Sequence, residues 1–167
     1  VGVGTRVLLK IPSQYRVAAA RSSIDSALPQ VPAATERRAR LILVEDNQGV
    51  RVATELFLKL EGHQTLSAGS LAEAERLLEQ LQPDDIVIAD YHLDAQNTGL
   101  DMLLRLRERV GYDVPGIVLS GDLPSVVRSI SAPIRACRFL SKPVDTTALI
   151  GAIDELANAL SDQRGVA

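Results

Sequence analysis

Tryptophan is absent from this chain, cysteine and methionine occur once each, and histidine occurs twice. Aromatic residues make up only 3% of the 167 positions, so aliphatic side chains must fill any core. The lone Cys137 cannot close an internal disulfide, which suits a reducing, cytoplasmic setting. Inside an apolar run it reads as a small buried residue. Neither His63 nor His92 has a second ligand at metal-binding spacing, so both are expected in loops or at the surface. No apolar run approaches the roughly 20 residues that span a bilayer. The first residues lack the charged, apolar and small-residue order of a signal peptide. There is no repeat of solenoid length and no low-complexity tract.

What remains is 46% hydrophobic residues and a net charge of −3, unevenly spread. Residues 1–39 carry +4 and residues 40–167 carry −7. An acidic compact part argues against nucleic acid as its ligand, and the scattered basic charges of the leader lack interleaved aromatics. Residues 13–39, with Ser, Ala, Pro and Gln and no sustained periodicity, read as a linker.

From Arg40 onward short apolar runs alternate with amphipathic stretches. Strands are expected near 41–45, 63–67, 85–89, 116–120 and 137–140. Helices are expected near 48–60, 70–81, from Thr98, near 123–131 and near 146–160. Ala53, Leu56, Phe57 and Leu60 form an i, i+3, i+4, i+7 set, expected to be the buried face of the first helix. The later helices repeat that spacing with Ala74, Leu77, Leu78 and Leu81, with Leu103, Leu106 and Val110, and with Leu149, Ile153, Leu156 and Leu160. Ser70 and Glu73 form a capping-box signature, and Asp145 is expected to cap the last helix. Five strands each followed by a helix imply a parallel sheet covered on both faces.

The polar residues that end these runs carry the chemistry. Glu45 and Asp46 follow the first strand, Asp90 the third, Ser120 the fourth, and Lys142-Pro143 the fifth. Open α/β sheets bind ligands beyond the carboxyl ends of their strands. Asp46 to Asp90 spans 44 residues, Asp90 to Ser120 spans 30, and Ser120 to Lys142 spans 22. Three clustered carboxylates repel one another unless a cation sits among them, and hard oxygen ligands suit Mg²⁺. Each residue alone has a plainer explanation: an acid as a helix cap, Ser120 as a turn residue, Lys142 as a solvated charge. Their convergence at matched strand ends is what singles them out.

In this order and alternation, residues 40–161 resemble the response-regulator receiver domain. The resemblance implies a flavodoxin-like (βα)5 three-layer sandwich with strand order 2-1-3-4-5, and a tail at 162–167. It also implies phosphorylation of Asp90 by a phosphohistidine domain of a sensor kinase or phosphotransfer protein. Mg²⁺ would be held by Asp46, Asp90 and the backbone carbonyl of His92, with Glu45 acting mainly through water. Lys142 would pair with Asp90 and then with a phosphoryl oxygen, and Ser120 would bond the phosphoryl group. Phe139 matches the family's aromatic switch position. The loop after Asp90 departs from the pattern. Asp94 stands where a proline is common, and Gly99 lies one position later than in many stand-alone regulators. This spacing is similar to receivers fused behind sensor kinases.

Residues 1–12, Gly2-Val3-Gly4-Thr5 through Ile11-Pro12, are similar to the end of a histidine-kinase ATP-binding domain. The expectation is the C-terminal receiver of a hybrid sensor histidine kinase, without a complete kinase domain in this fragment. No nucleic-acid or membrane contact is expected of it, and homodimerisation stays open. Other readings are a stand-alone response regulator, an interaction-only receiver, and a Mg²⁺-dependent aspartyl phosphohydrolase. The last is disfavoured because His92, not a second acid, stands two residues after Asp90.

Overall fold

The computed structural model describes residues 39–93, 97–130 and 132–164. The expected kinase remnant 1–12, nearly all of the linker 13–39, and residues 165–167 of the tail lie outside the described residues, as does Asp94. In chain order the elements are β1 (Arg40–Val44), α1 (Gln48–Leu60), β2 (Gln64–Ala68), α2 (Leu71–Leu78) and β3 (Asp85–Asp90). They continue with α3 (Gly99–Val110), β4 (Gly116–Ser120), α4 (Leu123–Ser129), β5 (Cys137–Ser141) and α5 (Thr146–Arg164).

The five strands form one sheet in the order β2-β1-β3-β4-β5, with every pairing parallel. The inner strands are apolar at consecutive positions because both of their faces are covered. Ile42, Val44, Val87 and Ala89 face Leu78 of α2 and Leu103 and Leu106 of α3. Leu41, Leu43, Ile86 and Ile88 face Leu58 of α1 and Leu149, Ile153 and Leu156 of α5. The result is a helix–sheet–helix sandwich, the expected fold class.

Local chemistry sets the helix starts. Asn47, Ser70, Thr98, Asp122 and Asp145 each accept a bond from a backbone N–H three residues on. At Thr98 the bond is reciprocal, since Asp101 accepts from the Thr98 N–H. The reach back from Glu73 goes instead to the N–H of Gly69, one residue before the Ser70 cap.

One sequence expectation is overturned. The buried side of α1 keeps Phe57 of the expected set, packed against the core, but not Ala53, Leu56 and Leu60: Leu56 is 58% and Leu60 is 77% exposed, while Leu58 is fully buried. Arg51, Thr54 and Phe57 are half-buried beside Leu58. Apolar residues occur on both sides of this helix, so periodicity admits two phases. The realised phase turns Arg51 toward the β1–α1 loop, where its guanidinium donates to the carbonyl of Glu45 at 2.8 Å.

Candidate functional site

Parallel register brings the strand ends to one edge. Val44 pairs with Ala89, Asp90 with Leu119, and Ser120 with Ser141. Residues one or two beyond β1 and one beyond β5 therefore meet the last residues of β3 and β4. Glu45, Asp46 and Asp90 each bring a carboxylate oxygen within 4.8 Å of the others. Glu45 is 2% and Asp90 9% exposed, whereas Asp46 is exposed.

Lys142 crosses into this cluster from the end of β5. Its Nζ donates to Asp90 Oδ2 at 2.7 Å and to Glu45 Oε2 at 2.8 Å. Burial alone would lower the ammonium's pKa, but the hydrogen bonds to Asp90 and Glu45 outweigh that, and it is raised above the ordinary lysine value. The lysine is thus held as a cation. Its backbone N–H donates to the Ser120 carbonyl at 2.7 Å, which ties the ends of β4 and β5 together. The Lys142–Pro143 peptide is cis.

The other oxygens of Glu45 and Asp90 meet backbone donors. Glu45 Oε1 accepts from the Asn47 N–H at 3.2 Å, and Asp90 Oδ1 accepts from the His92 N–H at 3.3 Å. Ser120 is fully buried, and its Oγ accepts from the Asp122 N–H at 3.1 Å. Phe139 is half-buried and packs with Ile130 and Ile134 against the core on the α2–α3 face. His92 is exposed at the rim, its ring edge-on to Tyr91 with centroids 5.0 Å apart.

The donor set fits a hard divalent cation. Three carboxylates with an exposed member supply oxygen ligands while leaving one side to water, the arrangement Mg²⁺ favours. Lys142 offsets part of the negative charge but engages only one oxygen each of Asp90 and Glu45.

The structure adds neighbours that spacing does not disclose. Lys142 binds Glu45, 97 positions away, as well as Asp90. Gly99 opens α3 against the back of Asp90: a Cβ there would lie 2.1 Å from the Asp90 carbonyl oxygen and 2.8 Å from Ala89 Cβ. Its position in the loop is visible in the sequence, but its steric reason is not. Arg51 carries no motif signal at all.

The family model for the response regulator receiver domain matches residues 41–154. The chain is 32% identical over 123 residues to the transcriptional regulatory protein GlrR of Escherichia coli (strain K12), covering 72% of this chain and 27% of that protein. It is 33% identical over 128 residues to the sensory/regulatory protein RpfC of Xanthomonas campestris pv. campestris (strain ATCC 33913), covering 72% of this chain and 17% of that protein. The chain therefore spans less than a third of either relative's length. In fold it is similar to the signal receiver domain of an HD domain-containing protein from Pseudomonas fluorescens Pf-5. There the TM-score is 0.65 at 24% identity, covering 77% of this chain and 93% of that one. Among the described residues no helix is long and apolar enough to cross a membrane.

Proposed function

This chain belongs to the response regulator receiver domain family, and we propose that it acts in a two-component phosphorelay with Asp90 as the phosphoacceptor. The donor is a phosphohistidine on a sensor kinase or phosphotransfer protein. The observation that carries this reading is the Lys142 ammonium shared between Asp90 and Glu45 inside a cluster of three carboxylates.

Transfer needs one bond made and one broken. An Asp90 carboxylate oxygen attacks phosphorus, the phosphohistidine N–P bond breaks, and the imidazole leaves with that bond's electron pair. Lys142 orients the Asp90 carboxylate beforehand and then pairs with a phosphoryl oxygen as a point charge. Asp46, Asp90 and the His92 carbonyl would hold Mg²⁺, with Glu45 acting through water, and the ion would neutralise phosphoryl charge there. The Ser120 hydroxyl donates to the new phosphoryl group. That contact exists only in the phosphorylated state, so it shifts the conformational equilibrium. Drawing Ser120 inward vacates space beside α4 into which half-buried Phe139 can turn, which makes α4, β5 and α5 the output face.

Access suits a protein donor. An apolar groove of about 400 Å³, lined in part by Val50, Ala53, Phe57, Pro143 and Leu149, opens beside Lys142. Lys142, which lines this groove, donates to Asp90 at 2.7 Å, so a histidine-bearing partner seated there lies beside the acceptor.

The parent protein is read as a hybrid sensor histidine kinase in which this receiver follows the ATP-binding domain. Residues 1–12 then close its ATP-binding domain, 13–39 form a linker, and the receiver works in the cytoplasm. Similarity to a sensory/regulatory protein supports that reading. Similarity to a transcriptional regulatory protein supports a second, a receiver in a separate response regulator.

Incubation with Mg²⁺ and a small acyl-phosphate donor, followed by intact-mass measurement, tests the proposal. A single labile phosphoryl adduct is expected, absent in Asp90→Asn and without Mg²⁺. An adduct that persists in Asp90→Asn overturns it, and no adduct from any donor leaves an interaction-only receiver.

A further inference from the structure

We infer that Arg51 is a positioning residue for the Mg²⁺ pocket, acting through the backbone of Glu45 and Asp46 within a space that Gly69 keeps open. The inference rests on the reading of Glu45, Asp46 and Asp90 as a Mg²⁺ site.

The β1–α1 loop carries two of the three carboxylates, and one of them, Asp46, is exposed. An exposed ligand on a loop needs its backbone fixed if its carboxylate is to meet a cation at one position. On one side the Glu45 N–H donates to the Ala68 carbonyl of β2 at 3.1 Å. From the other side Arg51 Nη1 donates to the Glu45 carbonyl at 2.8 Å and reaches the Asp46 carbonyl at 3.4 Å. The loop is therefore gripped by the carbonyls of Glu45 and Asp46. The orientation of α1 is consistent with this grip: the phase that brings Arg51 to the loop leaves Leu56 and Leu60 exposed.

Gly69 completes the arrangement from the β2–α2 loop. A Cβ at Gly69 would lie 2.4 Å from Arg51 Nη1 and 2.8 Å from its Cζ. Gly69 is not among the glycines with positive φ, so the guanidinium, not the backbone conformation, is what requires a glycine there. The atoms in the way are the far end of a flexible side chain. A methyl group at 69 would thus displace the guanidinium from the carbonyls at little cost to the fold.

Electrostatics and positioning make opposite forecasts. Removing a positive charge beside three carboxylates should tighten cation binding. Removing a grip on the ligand-bearing loop should loosen it.

The test is a Mg²⁺ titration of the 167-residue chain, followed by backbone amide NMR shifts, for wild type, Arg51→Ala, Gly69→Ala and the double variant. Urea unfolding in EDTA runs in parallel. Arg51→Ala is expected to weaken Mg²⁺ binding by roughly tenfold. Gly69→Ala is expected to weaken it similarly in the wild-type background and to add nothing in Arg51→Ala, the non-additivity that shared action through one side chain requires. If Arg51→Ala does not fold, Gly69→Ala decides alone. Unchanged or tighter Mg²⁺ binding in a folded single variant overturns the inference, as does an equal loss from Gly69→Ala in both backgrounds. Failure of wild type to bind Mg²⁺ removes the pocket reading and this inference together. Ordinary binding by wild type and by the variants removes only the inference.

Discussion

Lys142 Nζ stands 2.7 Å from Asp90 Oδ2, a contact between residues 52 positions apart that the parallel register of β3, β4 and β5 makes. The same ammonium satisfies Glu45, which is 2% exposed and would otherwise be a buried carboxylate without a cation. The pair is thus part of the fold as well as the means of orienting the acceptor.

Lys142→Met should therefore destabilise the metal-free protein by about 1–3 kcal/mol, the usual cost of leaving a buried charged group unpaired. Because the lysine's pKa is raised in the folded state, its contribution is complete below the unfolded value of 10.5 and is lost as pH rises through the folded one. Urea unfolding in EDTA should show the deficit at pH 7 and convergence of the two proteins above the lysine range. Mg²⁺ should also raise the melting temperature of Lys142→Met more than that of wild type, since the cation no longer competes with an ammonium. Equal stability at pH 7 contradicts this account of Lys142.

Gly99→Ala should act on Asp90 from behind. The methyl group meets the Asp90 carbonyl oxygen and Ala89 Cβ, both anchored in a central strand, so neither can yield as a surface side chain would. Overpacking of this kind costs about 1–3 kcal/mol. Denaturation should register that loss, and phosphoryl uptake per folded molecule should fall with it. A variant of wild-type stability with full uptake would show that β3 and α3 are not pressed together as described.

The rotated phase of α1 separates two leucines that a sequence reading treats the other way round. Leu58 is fully buried, so Leu58→Ala should cost about 2–5 kcal/mol. Leu60 is 77% exposed, so Leu60→Gln should stay within about 0.5 kcal/mol of wild type. Urea midpoints decide between the phases, and a large loss in Leu60→Gln would restore the one that periodicity suggested.

That helix marks where sequence reasoning stops. The sheet was legible because a strand covered on both faces is a continuous apolar run, and each run here ends abruptly in a polar residue: Glu45, Asp90, Ser120. The strand order was not legible from the runs themselves; it came with the family resemblance. The expected phase of α1 differs from the realised one because Leu56 and Leu60 complete an apolar face around Phe57 as well as Leu58 does. What distinguishes the two is where Arg51 goes, and that depends on loop carbonyls which no side-chain pattern encodes. Gly69 and Arg51, like Glu45 and Lys142, are partners only in three dimensions.

Cys137 lies in β5, buried against the α2–α3 core, and burial pushes its thiol up to about 11 from 9.0 despite the nearby Arg107 and Arg138 guanidinium groups. Thiolate is the reactive form, so alkylation of the folded protein at pH 8 should be far slower than in denaturant, on grounds of both access and ionisation. The raised pKa also fixes a direction for stability. A thiol that stays protonated in the fold but ionises on unfolding near 9.0 favours the folded state fully below that value, and the advantage is lost as pH climbs toward about 11. Wild type should therefore lose stability across that window relative to Cys137→Ala, once the pH-independent cost of the smaller side chain is subtracted. Rapid labelling of the folded chain at pH 8, or parallel stability profiles of the two proteins between pH 9 and 11, would mean that β5 opens to solvent more readily than its packing implies.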